Sequence, residues 1–463
     1  MKVIKIGQLV FFLLILSQFS NGQLSIEEPL KIAIEKAIEK DLSLQNQALD
    51  IEKLKIDRQK LLNKYIPKLE ATSALALYDN SFTLDVSTTT LPISGIQLFE
   101  GKTQLESTGN LFRSELTLSS VLFSGNQIQN GAEALAKKAE GSSYLLDSDK
   151  DKIAKAVIQS FDQLFLIQSS EELLLDTQTR LQKESERIEK AIKNGVAVPY
   201  DRDKIKLAQL ELDSKRVSLV DSKSLLYRKI TYLTGYDKAE IEAISYELLP
   251  YLIFERELNI DAKQELLALE SFKEALDYLL KKEKGSNLPK LGAFASMSYT
   301  DLFNSTVTVP TSSFSNVINT QVDQFSIGPN WMLGLGLKWE LFSGFERKNN
   351  IKTAKINSDQ IQNKIDDSRQ QLELLMNNAI SSYEAALMQI DIAEQKKKIA
   401  FNNLDLAARQ YREGLISIVD RLEAENDLYK ASQQFVEKKI IQRQAAIDVL
   451  IATGTLVEEI TKN

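Results

Sequence analysis

The side chains able to do chemistry in this sequence are carboxylates and little else. The 463-residue chain has no Cys and no His. That removes disulfides, thiolate metal sites, a Cys nucleophile and the commonest general base and metal ligand. Among 64 acids, Asp420 and Glu423 are singled out by position. They follow Gly414 by six and nine residues within YREGLISIVDRLEAENDLYKA (411–431). Their i, i+3 spacing puts both on one helical face. Two carboxylates facing each other across a cleft could hydrolyse a glycoside. Here the acids run along solvated helical faces, and no nucleophile–base constellation accompanies them. The reading is therefore not an enzyme: no catalytic residue, no metal site and no cofactor is assigned. The net charge of −7, spread along those faces, argues against nucleic acid as a partner.

The stretch around Gly414 has an echo at KNGVAVPYDRDKIKLAQLEL (193–212). Gly195 and Gly414 lie 219 residues apart, and so do Asp201 and Asp420. Each Gly reads as the left-handed end of one helix, with a second helix beginning just beyond it. Each stretch is thus a tight turn between antiparallel helices. Further landmarks keep the offset. VLFSG (121–125) answers ELFSG (340–344), and LTG (233–235) answers ATG (452–454), again at 219. YIPKLE (65–70) answers NLPKLG (287–292), with Pro67 and Pro289 222 residues apart. Matched landmarks in one order mean a duplicated unit of half the chain.

Between the landmarks the hydrophobic period changes. Residues 26–64 carry apolar positions at helical spacing until Pro67. Leu69, Ala71, Ser73, Leu75 and Leu77 then alternate with polar neighbours, as do Leu116, Leu118 and Leu122 after the Ser/Thr-rich 79–110, which reads as a loop. From about 126 to 194 there is almost no turn signal, and a helix of that length would be roughly 100 Å long. In the second half 290–302 alternates and 303–328 reads as a polar loop. Residues 330–341 alternate most clearly: Trp331, Leu333, Leu335, Leu337, Trp339 and Leu341 face one way, Gly334 and Lys338 the other. Trp331 and Trp339 cap an apolar face roughly 26 Å long, the pattern of an outer-membrane strand with interfacial aromatics. Leu335 would then meet lipid, while substitution of Gly334 is expected to be milder.

The N-terminus reads as a signal peptide. Lys2 and Lys5 precede the apolar run 9–16, and Ser20 and Gly22 supply small residues before a cut at Gln23. The chain then divides into a signal peptide (1–22), a first repeat (23–235), an irregular linker (236–260), a second repeat (261–454) and a loose tail (455–463). The first repeat holds strands near 68–78 and 111–123 and a helical hairpin near 126–233; the second holds strands near 290–302 and 330–342 and a hairpin near 345–452. Four strands cannot close a barrel, and open edges cannot persist in lipid, so several chains must pool their strands.

This order, with VLFSG, ELFSG and EGLISIVDRLEA as its most specific pieces, resembles the TolC-type outer-membrane efflux proteins over essentially the whole mature chain. The resemblance implies an α+β membrane protein and a homotrimer. Four strands per chain would give a twelve-stranded β-barrel in the outer membrane, continued by a long helical tunnel in the periplasm. It implies a passive exit duct of a tripartite efflux or type I secretion system, opened by a periplasmic adaptor protein and an inner-membrane pump. Asp420 and Glu423 fall where the family places acidic rings at the periplasmic entrance. Asp201 and Tyr411 match positions that tie neighbouring hairpins together there. Where a basic residue often stands two positions after the second turn glycine, this chain has Ile416; Arg412 and Arg421 are the alternatives. The turns around Gly195, Val196, Gly414 and Leu415 would dock the adaptor, and Trp331 and Trp339 would mark the membrane interfaces. The competing reading is an exported coiled-coil structural protein or adhesin, which explains the helices but not the paired strands.

Overall fold

The computed structural model describes residues 26–90, 97–253, 258–310, 317–454 and 456–461. The expected signal peptide at 1–22 lies outside them. In chain order the elements are α1 (Glu28–Lys40), α2 (Leu42–Leu62), β1 (Lys68–Thr90), β2 (Gln97–Phe123), α3 (Gln127–Lys193), α4 (Pro199–Thr234), α5 (Lys238–Ala243), α6 (Gln264–Gly285), β3 (Lys290–Pro310), β4 (Val317–Lys338), α7 (Glu346–Arg412), α8 (Ile418–Thr453) and α9 (Leu456–Thr461). The offset of 219 reappears in the elements. Helices α3 and α7 are each 67 residues long, α4 and α8 each 36. Gly125 and Gly344, Gly195 and Gly414, and Gly235 and Gly454 all have positive φ. Among the described residues no helix is long and apolar enough to cross a membrane.

The LFSG landmarks are helix starts. Ser124 Oγ accepts from Ile128 N (3.2 Å) and Ser343 Oγ from Arg347 N (3.4 Å), so each serine occupies one of the orphan donors that open a helix. The glycine after it carries the left-handed turn out of the strand.

The chain forms two units. One comprises 54–136 and 274–358. Its centre is a four-stranded antiparallel sheet in the order β1-β2-β3-β4. The register fixes the faces, because directly opposed residues point the same way. Leu69, Leu118, Ala295 and Leu333 form one row, and Ala71, Leu116, Met297 and Trp331 the next. The opposite face carries the rows Glu70, Thr117, Ser296, Met332 and Thr72, Glu115, Ser298, Asn330. Trp331, Leu333, Leu335 and Leu337 are all exposed within one chain.

The strands are much longer than the sequence pattern suggests. Residues 79–90 and 97–110 are strand rather than loop, as are 303–310 and 317–328, with a bulge at Gly328 and Pro329 opposite Tyr299. These parts are rich in Ser and Thr, a composition that reads as loop and masks short alternating runs such as Phe82, Leu84 and Val86. At the other end β4 stops at Lys338, short of the expected 342. Gly334 also differs from expectation. Phe294 lies directly opposite, and a Cβ added to Gly334 would sit 2.8 Å from Phe294 Cζ. The glycine makes room for that ring, so a side chain there requires the Phe294 ring to move.

The other unit comprises the residues up to 53, 137–273 and 359 onward. Its largest core draws Leu30, Ala33, Ile34 and Ala37 from α1, Val157, Ile158 and Phe161 from α3, Ile230 from α4 and Ala446, Ile447 and Leu450 from α8. These are i, i+3, i+4 stripes turned inward. Arg443 lies at the centre, fully buried. It donates to Asp162 from Nε (3.1 and 3.3 Å) and to Glu27 Oε1 and Leu249 O from Nη1 (3.1 and 3.0 Å), and its Nη2 reaches the Tyr251 hydroxyl. Gln442 closes the network by pairing with both backbone groups of Tyr251.

Two expected irregular segments are therefore ordered by packing. The linker contributes α5 and the buried Ile241, Leu248 and Tyr251. The expected loose tail contains α9, whose Leu456 and Ile460 enter the core. A six-residue helix has too short a period to read from sequence.

Asp151 receives α9. It is 1 % exposed, its Oδ1 accepts from Val457 N (3.1 Å), and its Oδ2 has no partner. Burial pushes its carboxyl up to about 6, against the Val457 bond and the charge of Lys263. The folded value thus exceeds the unfolded one, so the protonated form stabilises the fold. That contribution is complete below about pH 4 and fades as pH rises through about 6. Asp151→Asn should flatten the fall in thermal stability between those values and leave the variant more stable than the parent at pH 7. Melting temperatures across that range would read this out; parallel curves for the two proteins would show that Asp151 does not titrate there.

Candidate functional site

The two turns are built alike. In the first, Gly195 N donates to Ile192 O (3.0 Å) and Val196 N to Ala191 O (2.9 Å); in the second, Gly414 N donates to Tyr411 O (3.1 Å) and Leu415 N to Gln410 O (2.9 Å). Each is a Schellman closure that satisfies the last carbonyls of a long helix. The glycines have φ of +76° and +73°, and a Cβ on either would meet nothing within 4 Å. They are required by backbone conformation alone. Val196, Val198, Tyr200, Leu415 and Val419 stand exposed around them.

The helices that follow start differently. In α8, Ser417 and Asp420 form a capping box. Asp420 N donates to Ser417 Oγ (3.2 Å), while Ser417 N and Ser417 Oγ donate to Asp420 Oδ2 (3.0 and 2.7 Å). Those bonds hold the Asp420 carboxyl below the usual carboxylate range. In α4 the matching cap position is Val198, which offers no side-chain bond, and Pro199 opens the helix instead. Asp201 lies in that first turn, its N–H bonded to Val198 O (3.0 Å).

Behind the turns, Ile188, Ile205 and Ile418 form a small buried cluster that Tyr411 packs against. Burial, then the charges of Asp201 and Glu184, push the Tyr411 phenol up to about 12, with Arg421 pulling the other way. Asp201 lies close enough for its charge to be felt at Tyr411, but among the described residues no hydrogen bond joins the two within the chain. Glu423 is exposed and lines a groove of about 340 Å³ with Lys204, Leu207, Lys215, Asn426 and Tyr429. Asp420 and Glu423 leave one face of α8, but only Asp420 is bound to its own helix.

Of the two arginines, Arg412 folds back onto Ala408 O (3.1 Å). Arg421 is 4 % exposed; its Nη2 meets Glu425 Oε2 at 3.3 Å, and Glu425 also takes Arg180 Nε at 2.7 Å. Its Nε and Nη1 are buried without partners. Losing Glu425 would leave that guanidinium without a counter-charge, a change worth about 3–5 kcal/mol in such sites. Sequence reasoning missed this pair. The signal was present: Ile418, Arg421, Glu425, Leu428 and Ser432 keep the spacing of a buried seam. In the sheet, Trp331 is 81 % exposed on the apolar face. Trp339 lies one residue past β4, its Nε1 donating to Asn287 O (3.0 Å).

No curated protein sequence matches the chain significantly. Solved structures do match over nearly all of it. A membrane protein from Pseudomonas aeruginosa superposes with a TM-score of 0.70 at 15% identity, covering 93% of this chain and 91% of its own. The Campylobacter jejuni CmeC outer membrane channel gives 0.70 at 15%, covering 94% and 89%. The outer membrane protein VceC from Vibrio cholerae gives 0.67 at 14%, covering 92% and 96%. At such identities the likeness establishes the fold. Residues 263–455, from the start of α6 to the end of α8, match the outer membrane efflux protein family. The chain thus has the fold of these outer membrane channels, and its segment 263–455 is similar to the outer membrane efflux protein family.

Proposed function

We propose that this chain is one third of an outer-membrane exit duct. The observation that carries the reading is the sheet: near the Leu and Trp rows it has one apolar and one polar face, and its two outer strands, β1 and β4, have no partner on their outer side among the described residues. In lipid such edges must be paired. Three copies joined edge to edge would close a twelve-stranded barrel, with the Leu and Trp rows toward lipid and the Glu, Thr and Ser rows toward a lumen. An apolar band about 25 Å tall needs only some ten residues of each strand. Strands of 21 to 27 residues therefore continue past the lipid as polar ribbon.

The long helices would form the periplasmic tunnel, with the turns at Gly195 and Gly414 as its rim. Val196 and Leu415, exposed and apolar on a helical hairpin tip, suit docking of a periplasmic adaptor that links the duct to an inner-membrane pump. At that rim Asp420 and Glu423 would form rings of carboxylates, and Tyr411 beside Asp201 would meet the neighbouring hairpin. Asp420 stays ionised because its cap bonds hold it so. Transport is passive, and no catalytic step is assigned.

Two experiments test this. The full-length protein in planar bilayers should form cation-preferring channels, and Asp420→Asn with Glu423→Gln should reduce that preference and weaken block by multivalent cations. Unchanged selectivity would place these acids outside the pore. In the barrel, Leu335→Arg should cost about 2–4 kcal/mol if it faces the bilayer midplane. Met332→Arg, on the polar face, should leave the yield of heat-resistant trimer in outer membranes nearly normal. Equal losses from both would reverse the face assignment.

A further inference from the structure

The polar face of the sheet carries a basic cleft at the strand ends nearest α3 and α6. Lys290 and Lys338 stand directly opposite each other on β3 and β4. Like charges so placed repel, and natural sheets avoid them. Lys68 opens β1 on the same face, in the row Lys68, Ser119, Phe294, Gly334. Lys64 lies just before it. None of the four makes an ion pair among the described residues. Glu70, two residues on along β1 and on the same face, makes none with Lys68, and Lys282 is matched by Glu283 (3.4 Å). In a chain of net charge −7, this is a local reversal of sign.

The floor of the cleft is equally particular. Gly292 and Gly336 are directly opposed, one step in from the lysine pair and on the same face. With no side chains there, two adjoining cavities of about 620 and 450 Å³ open over bare backbone, sharing Lys64, Val121, Gly292 and Gly336. A Cβ on Gly336 would meet nothing within 4 Å, so packing within the chain does not demand this glycine. The ring of Phe294 borders the smaller cavity.

We infer that this cleft is a binding site for a soluble polyanion of the phosphate class. Ammonium groups act as point charges for phosphate oxygens, and an anion between Lys290 and Lys338 would remove their repulsion. The face carries Glu70, Thr72 and Glu115 rather than the leucine rows, so the cleft opens toward the solute side and not toward lipid. That location within a duct rests on the function proposed above; the binding itself does not.

The test is calorimetric titration of the full-length protein in detergent with inorganic tripolyphosphate at low salt. The parent should bind, and Lys290→Gln with Lys338→Gln should weaken binding roughly tenfold or more. These exposed lysines repel each other, so their removal does not threaten folding. Gly336→Val, which fills the floor without changing charge, should also weaken it. Lys348→Gln with Lys352→Gln, an equal loss of charge at the start of α7, should not. No binding by the parent, or equal weakening by both double variants, would overturn the site. So would displacement of tripolyphosphate by phosphatidylglycerol in mixed micelles, which would assign the lysines to lipid headgroups. Bilayer conductance is read separately: channels without this binding pattern would remove the site and keep the duct, and the pattern without channels would do the reverse.

Discussion

The outer edges of the sheet set the terms for everything built around them. Strands β1 and β4 are 23 and 22 residues long, and on each the ladder groups of alternate residues point away from the sheet. In water such an edge invites pairing with any other strand. In hydrocarbon each unmet group costs several kcal/mol. Under the function proposed above, a fold with two edges of this length is incomplete as one copy. The two-faced register gives the same indication from another direction, since among the described residues no helix layer covers either face of the sheet.

The helical unit is governed by a different constraint, the burial of Arg443. A guanidinium out of water needs every donor met. Here the partners come from the residue before α1 (Glu27), from α3 (Asp162), from the segment after α5 (Leu249 and Tyr251), while Arg443 itself belongs to α8. Burial pushes Asp162 up to about 6, while Arg443 draws it down. Four distant stretches of sequence are thereby fixed at one point. This is why the linker is ordered even though it carries no long periodic pattern; the tail is held separately, by Leu456 and Ile460 in the core and by Asp151.

What could be read from the sequence follows from these two constraints. The 219-residue offset, the long helices and the Trp331–Leu337 strand were legible because each is a repeated signal over many residues. The outer halves of the strands were not, because their Ser- and Thr-rich composition reads as loop and their alternating runs, such as Phe82, Leu84 and Val86, are short. The bent role of Asp420 could have been found, since Ser417-x-x-Asp420 is a near relative of the capping-box pattern. The Phe294–Gly334 pairing could not, because it depends on register. Arg421 was legible only as a charge in a seam position, which sequence reading tends to place in solvent.

Gly125 and Gly285 illustrate what such packing does to the freedom of a sequence to change. A Cβ on Gly125 would lie 2.4 Å from the Gly285 carbonyl oxygen, and one on Gly285 would lie 2.2 Å from that of Gly125. The obstacle at each position is main chain, present whatever residue the other position holds. Shrinking one side chain cannot make space for enlarging the other, as it can in a core of leucines and valines. The two sites therefore cannot drift as a compensating pair. Each is closed to mutation separately, and only a shift in the path of β2 or α6 would reopen it.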